Sequence, residues 1–134
     1  MSFAVFTIPG APVPKGRPRF GNGHTYTPQK TRDYETLCAY SYHGDKPCEG
    51  TLSVRLTFYM PIPQSATLRA QRAMRTGVMR PAKRPDLDNL VKAVLDGLNG
   101  VAWYDDKQIV ELISAKHYSD EPRTEVEIQE IDDG

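Results

Sequence analysis

With 134 residues, the chain is long enough for one domain with a single sheet and two or three helices. Its formal net charge is zero, and no stretch approaches the roughly 18 apolar residues of a membrane span, so no transmembrane helix is expected. The zero hides a division: residues 1–85 hold 13 Lys/Arg against 4 Asp/Glu, a balance of +9, and residues 86–134 hold 4 against 13, a balance of −9. Either the halves neutralise each other within the fold, or a basic surface for a polyanion lies beside an acidic centre, which is the reading preferred here.

The opening MSFAVFTIPG lacks the basic start and long apolar core of a secretory signal, so a cytoplasmic location is expected. Residues 3–8 are rich in β-formers (Phe3, Val5, Phe6, Ile8) and predict a largely buried first strand, ended by Pro9-Gly10. Residues 12–21 follow as a proline-stiffened loop bearing Lys15, Arg17 and Arg19, an extended arm suited to tracking phosphates. Its alternative is a solvated basic loop, and Phe20 suits the arm or the core. His24 has no metal-ligand spacing and reads as a loop residue. Thr27 and Pro28 supply the N-cap and first position of a helix running to about Tyr42, with Tyr34, Leu37, Cys38 and Ser41 on its buried side. Tyr40 and Tyr42 read first as core, then as a dimer contact or a base-stacking surface. Cys38 and Cys48 fit neither a zinc nor a redox spacing and are expected as free thiols.

After a Gly- and Pro-containing connection, Leu52, Val54, Leu56, Phe58 and Met60 alternate with more polar residues, predicting a strand with one buried face. Pro61 and Pro63 end it. Ser65 is placed to cap a short helix in which Arg69, Arg72 and Arg75 recur every three residues as a basic stripe. Arg80, Lys83 and Arg84 extend this to six cations with no acid in residues 51–85 to neutralise them, which favours contact with a DNA backbone over a merely solvated face.

Residues 83–107, KRPDLDNLVKAVLDGLNGVAWYDDK, concentrate the chemistry. Leu87, Leu90, Val91, Val94, Leu95 and Leu98 share one face of a helix, with Asp86 or Asp88 as N-cap and Gly97, Asn99 and Gly100 as the stop. Asp88, Lys92 and Asp96, spaced i, i+4, i+8, form a polar row along the edge of that face, which is expected to hold the lysine between two acids. A second acid pair, Asp105-Asp106, precedes the next strand, and residues 101–103 are expected to bring it back towards the helix N-terminus. Clustered carboxylates repel unless a cation or proton intervenes, and Mg²⁺ takes oxygen ligands while keeping its own waters, so two or three acids suffice for a site. Lys92 would add a fixed charge at a reacting phosphate. Residues 108–116 then read as a strand. Asp120-Glu121-Pro122 reads as a turn. Glu125, Glu127 and Gln129 alternating with Val126 and Ile128 predict a final antiparallel strand, before an acidic tail at 131–134.

The run RPDLDNLVKAVLDGLNG with WYDDKQIV, together with IPGAPVPKGRPRF and GHTYTPQKTRDYE, resembles the RusA family of Holliday junction resolvases over most of the chain. The resemblance implies a homodimeric, Mg²⁺-dependent endonuclease, with Mn²⁺ able to substitute and no organic cofactor, that nicks four-way DNA junctions. By motif position the family's essential acids fall on Asp86, Asp88 and Asp106, and its lysine on Lys92; Asp96 and Asp105 are candidates for a supporting role. The fold expected is α+β, a single domain over residues 1–134 with a mixed four-stranded sheet covered by helices in the order β-α-β-α-α-β-β. Two other functions remain open on the residues alone: a metal-dependent nuclease acting on flaps or single strands, and a non-catalytic DNA-binding protein using Lys15, Arg17, Arg19 and the later cations.

Overall fold

The computed structural model describes residues 3–131. In chain order its elements are β1 (Phe3–Pro9), β2 (Arg19–Gly21), β3 (His24–Tyr26), α1 (Gln29–Ser41), β4 (Thr51–Pro61), α2 (Leu68–Arg75), α3 (Leu87–Leu98), one 3₁₀ turn (Asp106–Gln108), β5 (Ile109–Ser119) and β6 (Arg123–Ile131). Of the expected acidic tail, Ile131 belongs to β6 and residues 132–134 lie outside the described residues.

Four strands form one sheet in the order β1-β6-β4-β5. The β1/β6 and β6/β4 pairs are antiparallel and β4/β5 is parallel, so the sheet is mixed, as expected. A parallel neighbour cannot be reached by a hairpin, and the chain between β4 and β5 accordingly makes a long crossover that carries α2 and α3. That crossover holds the whole D-x-D segment.

Strand alternation sorts the two faces. Leu52, Val54, Leu56 and Phe58 of β4 and Val126 and Ile128 of β6 are wholly buried beneath the helices. Phe3, Ser53, Arg55, Glu111, Ile113, Glu127 and Gln129 line a shallow depression on the other, open face. β1 departs from expectation here: Phe6 and Ile8 are buried, but Phe3 and Val5 are about 60% exposed, at 61% and 60%. An edge strand over a sheet covered on one side buries only alternate residues, so its β-forming composition overstated its burial.

Leu90, Val91, Ala93, Val94 and Leu98 of α3 pack inward with Tyr34 and Cys38 of α1, and Trp103 is completely buried below them. Gly97 lies inside α3 rather than at its stop, facing the α1 backbone so closely that an added Cβ would sit 3.0 Å from the Glu35 carbonyl oxygen. Asn99 is the C-cap. Tyr40 is 78% exposed and so is not core, while Tyr42 is half-buried and meets the Phe6 ring edge-on at 5.6 Å.

Three local expectations shift. The 12–21 loop leads into a hairpin, β2/β3, closed by Asn22-Gly23 with φ of 53° and 77°. Asn-Gly with both residues at positive φ is the pattern of a two-residue turn that matches strand twist, a signal overshadowed by the prolines before it. His24 is therefore a strand residue, and Phe20, 78% exposed, is not core. Helix α2 is capped by Thr67, whose hydroxyl accepts from the Ala70 N–H at 3.1 Å, rather than by Ser65. Helix α1 has Pro28 as its N-cap, one residue later than expected.

Candidate active site and nucleic-acid interface

Asp86 is the N-cap residue of α3 without making a side-chain capping bond, and Asp88 lies in the first turn. Both are exposed, and no described residue donates a hydrogen bond to either carboxylate. The segment before them is held by Lys116 of β5, whose Nζ donates to the carbonyl oxygens of Lys83 at 3.0 Å and Pro85 at 2.9 Å. Nothing in the spacing of the sequence points to Lys116, because the contact joins residues brought together only by the crossover. Leu87 lines a shallow cavity with Ser114, Ala115 and Lys116, which sets the N-terminus of α3 beside the second half of β5.

Lys92 is exposed and its Nζ lies 3.9 Å from Asp96, with no bond to Asp88. The polar row is thus not a lysine clamped between two acids. Asp96 instead serves Lys15, whose ammonium lies 3.0 Å from it and 2.6 Å from Glu35. Burial alone would lower the Lys15 pKa; the hydrogen bonds and charges of Glu35 and Asp96 outweigh it, and the net displacement is upward. With the Lys15 N–H also donating to the Asn89 carbonyl at 3.0 Å, this residue ties the basic arm to α1 and α3. Lys15 is an internal cation, and Glu35, which the sequence reading passed over, is its main partner.

Asp105 and Asp106 occupy the other end of the helix. Asp105 caps the 3₁₀ turn in a capping box with Gln108, its carboxylate accepting from the Lys107 N–H at 2.9 Å. Asp106, half-buried, accepts at 2.7 Å from the indole N–H of Trp103. Trp103 in turn bridges to Asn99, the C-cap of α3. The expectation that residues 101–103 return these acids to the helix N-terminus is therefore wrong. After α3 the chain turns directly into β5, so Asp106 stays at the C-terminal end of α3. Among the described residues, no three His, Cys, Asp or Glu side chains lie together as a metal centre requires. The uncommitted D-x-D pair has the hard oxygen donors that suit a divalent ion, but the three-acid set does not close within one chain.

The candidate DNA cations divide by what already holds them. Arg17, Arg19, Arg69, Arg72, Lys83 and Arg84 are exposed, with no side-chain partner among the described residues. Arg75 is paired with Asp120 at 2.9 Å. Arg80 donates to the Lys116 carbonyl at 3.0 Å and neighbours His117, whose pKa is lowered by burial and by the Arg80 charge. Arg17 and Arg19 line a groove with Pro14, Pro28 and Lys30.

The mixed α+β domain thus carries an unengaged acid pair at a helix N-terminus, with the exposed and unpaired cations Lys83 and Arg84 just before it. Residues 9–129 match the family described as Endodeoxyribonuclease RusA, and the chain belongs to that family. It is also 37% identical over 140 residues to the uncharacterized protein YqaN of Bacillus subtilis (strain 168), across 98% of this chain and 99% of that protein. No described helix is long and apolar enough to cross a membrane.

Proposed function

We propose that this protein is a divalent-metal-dependent endonuclease that nicks four-way DNA junctions, with Mg²⁺ as the working ion and Mn²⁺ as a substitute. The observation that carries the reading is the pair Asp86 and Asp88. They are exposed, free of protein partners and held in place through Lys116, on a chain of an endodeoxyribonuclease family. Carboxylates at a helix N-terminus gain a little from the helix dipole, but two of them two residues apart also repel each other, and with no protein partner they suit a hard cation. Asp86 and Asp88 would hold the ion; Asp106, at the other end of α3 in the same chain, could serve as the third acid only from a second copy of the chain. When bound, the ion supplies charge neutralisation at the phosphate and a more acidic water.

The chain's own residues do the rest. Lys92, one helical turn beyond Asp88 and exposed, acts on the charge that develops on the phosphate. Arg69, Arg72, Lys83 and Arg84, with Arg17 and Arg19 on the arm, take the DNA backbone. Lys15 is left out of this set because two acids already hold it. A junction must be cut on two opposed strands, so two copies of the site are needed, and a two-fold homodimer supplies them.

The test is cleavage of a four-way junction beside duplex, flap and single-stranded DNA, with Mg²⁺ and in excess chelator, by wild type and by Asp86→Asn, Asp88→Asn and Asp106→Asn. Paired nicks in the junction alone, lost in chelator and in each variant while junction binding persists, are expected. Preference for flaps would reassign the substrate. Binding without cleavage by the wild type would make it a DNA-binding protein only.

A further inference from the structure

The hairpin β2/β3 stands apart from the rest of the fold. Its strands pair with each other and not with the four-stranded sheet. All three residues of β3 are exposed, as are Arg19 and Phe20 of β2. A lone two-stranded hairpin is marginal in water, yet this one is fixed at its root. The Gly16 N–H donates to the Thr31 hydroxyl of α1 at 3.0 Å, and the Lys15 N–H donates to the Asn89 carbonyl of α3 at 3.0 Å. Asn89 directly follows Asp88. The hairpin is thus a short finger that springs from the catalytic helix beside the D-x-D pair. Five residues of extended chain keep Phe20 within about 20 Å of Asn89, or about six nucleotide steps along a strand.

The two faces of the finger differ. Side chains alternate along each strand and directly opposed residues share a face, so Arg19, Gly21, His24 and Tyr26 lie on one side and Phe20 and Thr25 on the other. On the first side the Tyr26 ring lies over Gly21, where an added Cβ would come within 3.0 Å of it. The second side has no such cover, and Phe20 is 78% exposed. Residues 10–32 contain no Asp or Glu. Arg17, Arg19 and Lys30 have no side-chain partner among the described residues, and they line the groove at the root of the finger with Pro14, Pro18 and Pro28. An apolar pocket on another protein would cover the ring and leave the cations unanswered, whereas a nucleotide offers an aromatic face and a phosphate together. In a continuous duplex every base is already stacked on both faces. At a branch point the stack is interrupted, and an apolar side chain can take the place of the missing neighbour at less cost.

We propose that Phe20 stacks on a nucleobase at the branch point of the junction, with Arg17, Arg19 and Lys30 on the phosphates alongside, so that this finger is where the protein distinguishes branched DNA from continuous duplex. The assignment rests on the junction reading for its ligand and is independent of the metal chemistry. Phe20 is a specificity residue and is assigned no part in breaking the phosphodiester bond.

The test is binding in excess chelator, so that no cutting intervenes, to a four-way junction, to duplex of the same arm sequences and to single-stranded DNA. Wild type is compared with Phe20→Ala, Phe20→Leu and Phe20→Tyr. Loss of one base stack corresponds to about 5- to 150-fold in affinity, so Phe20→Ala should bind the junction that much more weakly and the duplex as wild type does. The unchanged duplex affinity also shows that the variant is folded. Phe20→Tyr keeps the ring and should bind the junction as wild type does. Phe20→Leu keeps apolar bulk without an aromatic face and should fall with Phe20→Ala. Unchanged junction affinity in Phe20→Ala, an equal loss on junction and duplex, or full affinity in Phe20→Leu overturns the stacking. A loss on single-stranded DNA as large as on the junction sets the ring against any unpaired strand and overturns the branch-point assignment. A wild type that binds the junction but never cuts it with Mg²⁺ refutes the nuclease reading, and the comparison of Phe20 variants still decides the stacking.

Discussion

Gly97→Ala isolates the contact that places the catalytic helix. On propensity alone the change should help, since alanine in a helix interior is favoured over glycine by about 1 kcal/mol. The new methyl, however, would lie 2.9 Å from the Cys38 Cβ and 3.0 Å from both the Cα and the carbonyl oxygen of Glu35. Two of these three atoms are backbone, so no rotamer change relieves them and α1 and α3 must move apart. Overpacking costs about 1–3 kcal/mol, and contacts with backbone put this site in the upper half of that range, about 2–3 kcal/mol; less the helical gain, the net loss is about 1–2 kcal/mol. For a chain of this size that corresponds to a fall of about 4–7 °C in Tm. Urea unfolding should show a lower midpoint with an unchanged slope, the sign that stability fell without a change in the surface exposed on unfolding. A Gly97→Ala protein as stable as wild type, or more so, would refute the reasoning and show that the helices have room to adjust.

Three further outcomes are expected. Lys15→Met leaves Glu35 and Asp96 half-buried without their cation and should cost about 2 kcal/mol near neutral pH, between the values for exposed and buried pairs. Because the folded Lys15 pKa is raised above 10.5, its contribution is present below that value and lost as pH rises through the folded one; urea titrations should show wild type and variant converging in alkali. Lys92→Ala should slow single-turnover cleavage with little effect on junction affinity, whereas Arg69→Ala and Arg72→Ala should weaken binding and reduce its salt slope by about 1 each; Arg75→Ala should do less, since Asp120 already holds that side chain. Trp103→Phe removes the indole donor to Asp106 and should destabilise the protein by about 1–2 kcal/mol, with a larger effect on cutting than on binding.

Most of the elements were legible in the sequence because their signals are local; the β2/β3 hairpin was missed although its Asn22-Gly23 turn is a signal of the same range. The alternation of Leu52 to Met60 and the helical spacing of Leu87 to Leu98 record which side of each element faces the core, and those sides are buried, Leu87 and Leu95 only partly so. The D-x-D motif with its lysine was likewise readable, since a helix N-terminus and a four-residue spacing are properties of one short segment. What needed tertiary structure was every relation between segments. Gly97 read as a helix stop because a sequence does not show the α1 backbone pressed against it. Lys15 read as a phosphate contact because Glu35 and Asp96 lie far off in the chain. The Asp105-Asp106 pair read as returning to Asp86 because two acid pairs flanking one helix look adjacent on paper, although a helix of 12 residues spans about 18 Å and the parallel β4/β5 pairing carries the chain away from its far end. Periodicity is short-range information, and the closing of a sheet around a crossover is not encoded at that range.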